Sequence, residues 1–181
     1  GVGFGGSCFP KDLKALIEFS RLKGCSPGLL EEVLKVNEHQ PLKAVELAEK
    51  RLGDLKGKVV AVLGLSFKPG TDDLREAPSL KIIEALLSRG ATVKAYDPAA
   101  VESARKKLEG RVELCASKEE CVKDADCCIV VTEWDEFKEL SPGFFKELMR
   151  RPLVVDGRRI YDPKLFKREL EFEAVGLGVQ P

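Results

Sequence analysis

Six short apolar segments alternate with helical segments from Lys58 to the end of the chain. Each apolar segment has the length of a strand, and helical segments such as PSLKIIEALLSRG, which ends at Gly90, separate them. The apolar segments lack a polar face, so we predict strands buried on both sides of one sheet. Parallel strands need a crossover to return the chain, and the helices supply it. The six segments are KVVAVLGL, TVKAYDP, RVELC, DCCIVVT, PLVVDG and FEAVGLG.

This alternation predicts an α/β fold with a Rossmann-like, doubly wound parallel sheet of about six strands. The expected strand order is 3-2-1-4-5-6, which places a ligand crevice at the carboxyl ends of strands one and four. A turn is expected at Asp97 and Pro98, after the second strand. Trp134 is interpreted as a packing anchor without a functional role.

A different region precedes the sheet. After the loop GVGFGGSC, a short helix is predicted from Pro10 to Gly24. A long helix follows, capped by Ser26, ended by Gly53, and kinked or split at Pro41. We therefore expect two domains, a cysteine loop with a long helical linker at 1–56 and the sheet domain at 57–181. A helix this long is expected to pack partly on another chain or on a further domain.

The net charge and the length of the apolar runs limit the kinds of partner that the chain is expected to bind. Thirty basic residues balance thirty acidic ones, so no global field favours nucleic acid or a membrane surface. No apolar run approaches the roughly 20 residues that span a bilayer. The chain opens at Gly1 in the middle of a loop motif, and we interpret it as a fragment.

The cysteines indicate a reducing environment. Six cysteines form no C-x-x-C pair, and a single histidine, His39, adds little to any metal site, so no metal is expected. Most of the cysteines lie in apolar segments, as inert buried thiols do, which favours the cytoplasm. A disulfide between Cys115 and Cys121 is the alternative left open.

The opening glycines have the spacing G-x-G-x-x-G at Gly1, Gly3 and Gly6. A dinucleotide fingerprint also needs a strand before it and a helix at its third glycine, and neither is indicated here. These glycines more simply let the backbone approach a ligand closely.

Cys8 lies directly before the predicted first helix. The positive end of the helix dipole and the nearby Lys11 favour the thiolate, so a reactive sulfur is one interpretation. The other is a small residue that fills space under a loop, because no histidine is available as its base.

Two further motifs follow predicted strands. GLSFKPGTDDLREAPSL leads from the first sheet strand into a helix, a position where such folds bind anions, and Lys68 and Arg75 are candidate phosphate partners. Alternatively this segment is a solvated loop, or Asp72 and Asp73 bind a metal. VVDGRRIYDP places Arg158 at the carboxyl end of the fifth strand, on the same rim as Lys68.

Taken in order, GFGGSCFPKD, FKPGTDDLREAPS and DGRRIYDP resemble the UDP-glucose/GDP-mannose dehydrogenase family over nearly the whole chain. The CFPKD and REAPS segments look more like members that act on UDP-glucose than those that act on GDP-mannose. The resemblance implies oxidation of a sugar C6 alcohol to a carboxylate, with two NAD and one water, through a cysteine thiohemiacetal and thioester.

Site roles follow from the resemblance alone. It implies that Cys8 is the nucleophile, that Asp12 polarises the water or alkoxide, and that Lys11 and Arg75 approach NAD. It implies sugar-nucleotide binding by five further residues, with Arg159 as the substitute for the last of them: Gly3, Phe4, Gly5, Lys68 and Arg158.

The resemblance also implies partners. These are a UDP-sugar substrate, an N-terminal NAD-binding domain missing here, and a second copy joined through the long helix, so the chain is expected to be inert alone. Alternatives are a GDP-mannose dehydrogenase, a non-catalytic nucleotide-binding module, and a thiol redox protein, although no resolving cysteine lies near Cys8.

Overall fold

The computed structural model describes residues 1–108 and 110–178, so residues 179–181 of the expected sheet domain lie outside it. These ranges contain nine helices and six strands, which alternate from the first strand onward as the sequence predicts, except that two helices lie between the fourth and fifth strands. The helices are α1 Phe9–Leu22, α2 Gly28–His39, α3 Leu42–Leu52, α4 Pro78–Ser88, α5 Val101–Leu108, α6 Lys118–Val122, α7 Asp135–Lys138, α8 Pro142–Leu148 and α9 Pro163–Glu169. The strands are β1 Val59–Leu63, β2 Thr92–Tyr96, β3 Glu113–Leu114, β4 Cys127–Val130, β5 Leu153–Asp156 and β6 Glu171–Ala174.

All six strands form one parallel sheet in the order β3-β2-β1-β4-β5-β6. The predicted fold class and strand order are confirmed. Val60 of β1 pairs with Val93 of β2 on one side and with Cys127 of β4 on the other. The chain therefore reverses its winding between β1 and β4, and the carboxyl ends of β1, β4 and β5 share one edge of the sheet.

The core consists of two apolar layers, one on each face of the sheet. Val60 and Val62 of β1 face a layer that includes residues of α3, α4 and α5. Ala61 and Leu63 face the other layer, which includes residues of α6, α7, α8 and α9. This alternation is the period of two of a strand whose faces are both covered, and it explains why the strand segments are uniformly apolar.

The long helix is split at Pro41 as predicted, but its predicted start is wrong. It is divided into α2 and α3 around Gln40 and Pro41, as the proline predicts, while both residues keep helical φ and ψ. The predicted cap at Ser26 is wrong, because α2 begins at Gly28 after Pro27 and has no side-chain cap. Proline has no N–H and a fixed φ, so it suits the residue that starts this helix.

Helices α1 and α2 carry several large apolar side chains that are exposed to solvent. None of the residues of α2 is buried, and only Pro10 and Ile17 of α1 are. Leu22 and Leu29 are 83% and 80% exposed. These two helices thus present an open apolar face, whereas α3 packs on α4, β5 and β6. None of the helices described is both long and apolar enough to cross a membrane.

Candidate functional site

The glycine-rich loop 1–7 places Cys8 at the start of α1. Cys8 is the N-cap residue, and its carbonyl accepts the first helical hydrogen bond, from the Asp12 N–H at 2.8 Å. Its side chain makes no capping hydrogen bond and is exposed, with Ser7 Oγ 3.8 Å from Sγ. The expectation that this cysteine directly precedes a helix is confirmed, and its sulfur is free to meet a ligand.

The loop is held from one side by the segment that precedes α4. The Gly6 N–H donates to the Arg75 carbonyl at 2.8 Å. A Cβ at Gly5 would overlap the Glu76 carbonyl oxygen and lie 2.9 Å from the Glu76 carbonyl carbon. Glu76 itself has φ +51°, a left-handed conformation that is unfavourable for a residue other than glycine. Glycine at position 5 is therefore required by the close approach of two backbones.

Cys8 opens into a cavity of about 700 Å³, which we call the cysteine cavity. Four cationic side chains line it beside the thiol: Lys11, Lys14, Arg75 and Lys107. Carboxylates pair with three of them: Asp12 with Lys11, Glu76 with Lys14 and Asp73 with Arg75. A cavity with this lining favours an anionic ligand such as a phosphate group.

Arg75 is oriented by Asp73. Its Nε and Nη2 donate to the Asp73 carboxylate at 3.0 and 2.7 Å, and these hydrogen bonds raise the pKa of Arg75 and lower the pKa of Asp73. The negative charge of a Cys8 thiolate makes a smaller contribution to the raised pKa of Arg75. Asp72 instead accepts from Ser103 Oγ at 3.0 Å. The two aspartates are thus engaged by different protein groups, which does not favour the alternative of a metal between them.

Arg158 lines a second cavity, of about 610 Å³, which we call the arginine cavity. Its Nε donates to the Val131 carbonyl at 2.6 Å and lies 3.1 Å from a Glu133 carboxylate oxygen. Its Nη1 is 3.4 Å from the Gly3 carbonyl. Burial lowers the pKa of Arg158 and the Glu133 charge opposes that shift. Phe4, Asn37 and an apolar side of α2 line the same cavity.

The remaining predicted site residues are dispersed. Asp12 lines a third cavity, with Phe4 and Phe9, rather than the cysteine cavity. Lys68 lies with its ammonium 5.5 Å from the centre of the Phe67 ring and is not among the lining residues of these three cavities. Arg159 donates to the Gly176 carbonyl at 3.0 Å. Cys8, Lys11 and Arg75 thus line one cavity, whereas Arg158 lines another with Phe4.

Two buried aspartates that the sequence analysis did not single out as site residues shape the loops at this edge. Asp97, after β2, accepts hydrogen bonds from the Leu65 and Ser66 N–H groups, at 2.7 and 2.9 Å, in the segment that leads to Lys68. Asp156, at the end of β5, accepts from the Arg158 N–H at 2.9 Å. The only available signal was an aspartate at the end of an apolar strand. No sequence pattern indicated Lys14 or Lys107 as site residues, because only the folded chain brings α1 and α5 together at the cysteine cavity.

One cluster of metal-ligand type occurs among the residues described, at the edge of the sheet. Ligand atoms of Glu113, Cys115 and Glu120 lie within 4.8 Å of one another. The Lys94 ammonium is 3.7 Å from Glu113, so a fixed positive charge already balances this cluster. Cys115 and Cys121 are free thiols rather than a disulfide, and they donate to the carbonyls of Glu113 and Val62 at 3.8 and 3.7 Å.

Known proteins match this chain along most of its length. The UDP-glucose/GDP-mannose dehydrogenase family, UDP binding domain, matches residues 61–163, and the central domain of the same family matches residues 1–39. UDP-glucose 6-dehydrogenase YwqF of Bacillus subtilis is 44% identical over 161 residues, which are 89% of this chain and 37% of that protein. The UDP-glucose 6-dehydrogenase of Rickettsia prowazekii is 41% identical over 182 residues, 99% of this chain and 42% of that protein.

Solved structures agree with these matches. A UDP-glucose dehydrogenase from the hyperthermophilic archaeon Pyrobaculum islandicum has a TM-score of 0.86 and 40% identity, and the match covers 98% of this chain and 39% of that one. The GDP-mannose dehydrogenase of Pseudomonas aeruginosa has a TM-score of 0.76 and 27% identity, covering 97% of this chain and 40% of that one. The chain spans about 40% of the length of these relatives. It belongs to the UDP-glucose/GDP-mannose dehydrogenase family.

Proposed function

We propose that this chain is the C-terminal part of an NAD-dependent UDP-glucose 6-dehydrogenase, which oxidises C6 of UDP-glucose to the carboxylate of UDP-glucuronate. The observation that carries the proposal is the exposed Cys8 thiol in a cavity lined by Lys11, Arg75 and two further lysines. Identity of 41–44% to relatives named UDP-glucose 6-dehydrogenase, against 27% to a GDP-mannose dehydrogenase, favours UDP-glucose as the substrate.

The thiol has a specific use in this oxidation. The Cys8 thiolate adds to the carbon of the C6 aldehyde, and the oxygen takes a proton to give a thiohemiacetal. Loss of a hydride from C6 of this adduct, which bound NAD would accept, and of the hydroxyl proton to solvent leaves a thioester on Cys8. Water attacks the thioester carbonyl, the carbon–sulfur bond breaks, and the uronate leaves with the thiolate restored. Asp12, one helical turn from Cys8, is proposed to polarise the water or the alkoxide.

The cationic lining of the cysteine cavity fits the phosphates of NAD, and Lys11 and Arg75 are the proposed contacts. When bound, NAD accepts one hydride in each of the two oxidation steps. Arg75 is preset for this contact, because Asp73 fixes its guanidinium and leaves one edge exposed. Glu76 similarly fixes Lys14 on the same wall.

The sugar nucleotide is proposed to bind along the loop from Gly3 to Gly5, with Lys68 and Arg158 as its cationic partners. The Arg158 guanidinium is largely removed from water and is held by carbonyl oxygens, which orients it before an anion arrives. Arg159 serves as the alternative contact if Arg158 remains engaged by the protein.

The proposal also covers the domains of the chain, the protein surfaces that contact it and its cellular location. Residues 1–56 and 57–181 form the two units, and an N-terminal NAD-binding half and a second copy cover the apolar faces of α1 and α2, where Leu22 and Leu29 are exposed. The α2–α3 region is the proposed homodimer contact. Free thiols at all six cysteines are in keeping with the cytoplasm.

The test is NAD reduction at 340 nm by the full-length enzyme, with UDP-glucose and with GDP-mannose as alternative substrates. We expect two NADH per UDP-glucuronate. Cys8→Ser should abolish turnover, whereas Cys25→Ser, at the other exposed cysteine, should leave it unchanged. Turnover in Cys8→Ser would refute the nucleophile, and preference for GDP-mannose would refute the substrate.

This chain by itself is expected to bind UDP without reducing NAD. Thermal unfolding with and without UDP measures the binding, because a ligand that binds only the folded state raises the melting temperature. Arg158→Gln should remove that shift, and Arg168→Gln, in the last turn of α9, is the matched control. A rise in melting temperature with UDP, together with no turnover by the full-length enzyme, would instead support the non-catalytic nucleotide-binding module.

A further inference from the structure

Two amide side chains at the end of α2 hold the opening loop at Gly1 and Phe4. Asn37, the sole asparagine of the chain, and Gln40 lie one turn apart at the end of α2. The Phe4 N–H donates to Asn37 Oδ1 at 2.8 Å, and Asn37 Nδ2 donates to the Phe4 carbonyl at 3.0 Å. Gln40 Nε2 donates to the Gly1 carbonyl at 2.8 Å. One side chain thus satisfies both backbone groups of Phe4, as a neighbouring strand would.

The loop backbone is shaped to admit this amide. Gly3 has φ +94°, and a Cβ there would lie 2.7 Å from Asn37 Oδ1. Any side chain at position 3 would therefore push the amide away from Phe4. Phe4 and Asn37 are 33 residues apart and both are partly buried, so their hydrogen bonds are sheltered from competing water.

The loop is consequently fixed at two points, by α2 and by the segment before α4. Asn37 holds Phe4, and the Arg75 carbonyl holds the Gly6 N–H at 2.8 Å. Cys8 follows the second point by two residues. A shift of the loop at Phe4 must be taken up in the short segment before Cys8, because the Gly5 backbone is confined by Glu76.

We infer that Asn37 is a positioning residue for the reaction, one that sets the position of the Phe4–Gly5 backbone relative to Cys8 without contacting the reacting atoms. This inference rests on the proposed function for its kinetic consequence. Its structural part, the double hydrogen bond to Phe4, stands independently of any activity.

The structural part is tested on this chain by hydrogen exchange of the Phe4 amide. Asn37→Ala should accelerate exchange of the Phe4 N–H by about tenfold or more, because its acceptor is lost. Glu38→Ala is the matched control, since the adjacent Glu38 pairs with Lys81 on α4 and not with the loop. Unchanged exchange in Asn37→Ala would overturn the inference.

The kinetic part is tested on the full-length enzyme. A misplaced nucleophile loop in Asn37→Ala should lower kcat on the order of 10²-fold while the KM for NAD stays unchanged. Asn37→Asp provides a conservative rescue, because a protonated carboxyl has both the O–H donor and the carbonyl acceptor that Phe4 needs. An ionised carboxylate would instead face the Phe4 carbonyl. The activity of Asn37→Asp relative to the parent enzyme should therefore rise as the pH falls.

Charged groups near the Asn37 side chain also contribute to the pH dependence of activity. Arg158 and Glu32 line the same cavity as Asn37, and both are present in the parent and the variant. A ratio that does not depend on pH, or a kcat for Asn37→Ala equal to that of the parent, would overturn the inference. If the parent enzyme reduces no NAD with UDP-glucose, the proposed function fails, and exchange at Phe4 still decides whether Asn37 fixes the loop.

Discussion

Replacing Asp97 with asparagine is expected to destabilise the fold far more than its small chemical change suggests. Asp97 is 1% exposed, and its two carboxylate oxygens accept six hydrogen bonds. One oxygen serves the turn after β2 and the other serves the segment after β1. The donors are the N–H groups of Leu65, Ser66, Ala99 and Ala100, the Ser66 hydroxyl and Trp134 Nε1.

The magnitude follows from counting the donors that lose an acceptor. In Asp97→Asn, one oxygen becomes an NH2 group, which cannot accept a hydrogen bond. In one orientation it opposes the N–H groups of Ala99 and Ala100, and in the other those of Leu65 and Ser66. At least two donors therefore lose their acceptor, either the buried Ala100 with the partly buried Ala99, or the buried Leu65 and Ser66. Each buried donor costs about 1–3 kcal/mol, which gives roughly 1–6 kcal/mol in total. This is a large part of the ~5–15 kcal/mol that stabilises a typical domain.

Urea unfolding, followed by the fluorescence of Trp134, measures the loss. The tryptophan is the only one in the chain and its Nε1 lies 3.1 Å from Asp97, so its signal reports the same region. A decrease of roughly 5–20 °C in Tm should accompany the lost free energy of unfolding. Asp162→Asn is the matched control, because Asp162 caps α9 through the Lys164 N–H, a position where asparagine and aspartate are nearly equivalent. If the two variants unfold at the same urea concentration, the account of the Asp97 network is wrong.

Three further predictions follow from the same structure. Gly5→Ala should cost about 1–3 kcal/mol of the free energy of unfolding in a urea titration, since its Cβ meets fixed backbone; an unchanged midpoint would show that the two backbones can separate. Iodoacetamide should label only Cys8 and Cys25 in the folded chain, and all six cysteines in denaturant; mass spectrometry counts the labels, and a third label without denaturant would contradict the described burial. Arg75 lowers the pKa of Asp73 in the folded chain. The pair therefore stabilises the fold fully above the pKa of Asp73 in the unfolded chain, about 4, and this contribution is lost as the pH falls through the lower pKa of the folded chain. Arg75→Gln should therefore lower the urea midpoint more at pH 7 than at about pH 2; an equal loss at both values would exclude this electrostatic origin.

Much of the sheet domain was predictable because its signals are local. A strand buried on both faces needs a continuous apolar run, and each of the six runs in this sequence forms a strand. Crossover helices then leave few possible topologies, so the order β3-β2-β1-β4-β5-β6 could be predicted without coordinates. The failures were also local. Ser26 resembled a cap but lies one residue too early, and the short α7 after Trp134 carried no helical period.

The candidate site was predictable only as a set of separate motifs. Proline and glycine around Cys8 indicate a loop followed by a helix, and Arg158 after an apolar strand indicates the carboxyl edge of the sheet. The sequence does not indicate that Cys8 and Arg158 line different cavities. That arrangement depends on the approach of Gly5 to Glu76, 71 positions later, and a positive φ at a glutamate has no sequence signal.

Sequence alone therefore determined the alternating elements, their order in the sheet and the placement of a cysteine before a helix, because hydrophobic period and turn chemistry act over a few residues. The tertiary structure decided which distant side chains meet. Asn37 reaches Phe4, and Lys107 of α5 joins Cys8 in one cavity, only after the helices have packed on the loop. Such contacts depend on the relative placement of whole elements, which no local pattern of residues specifies.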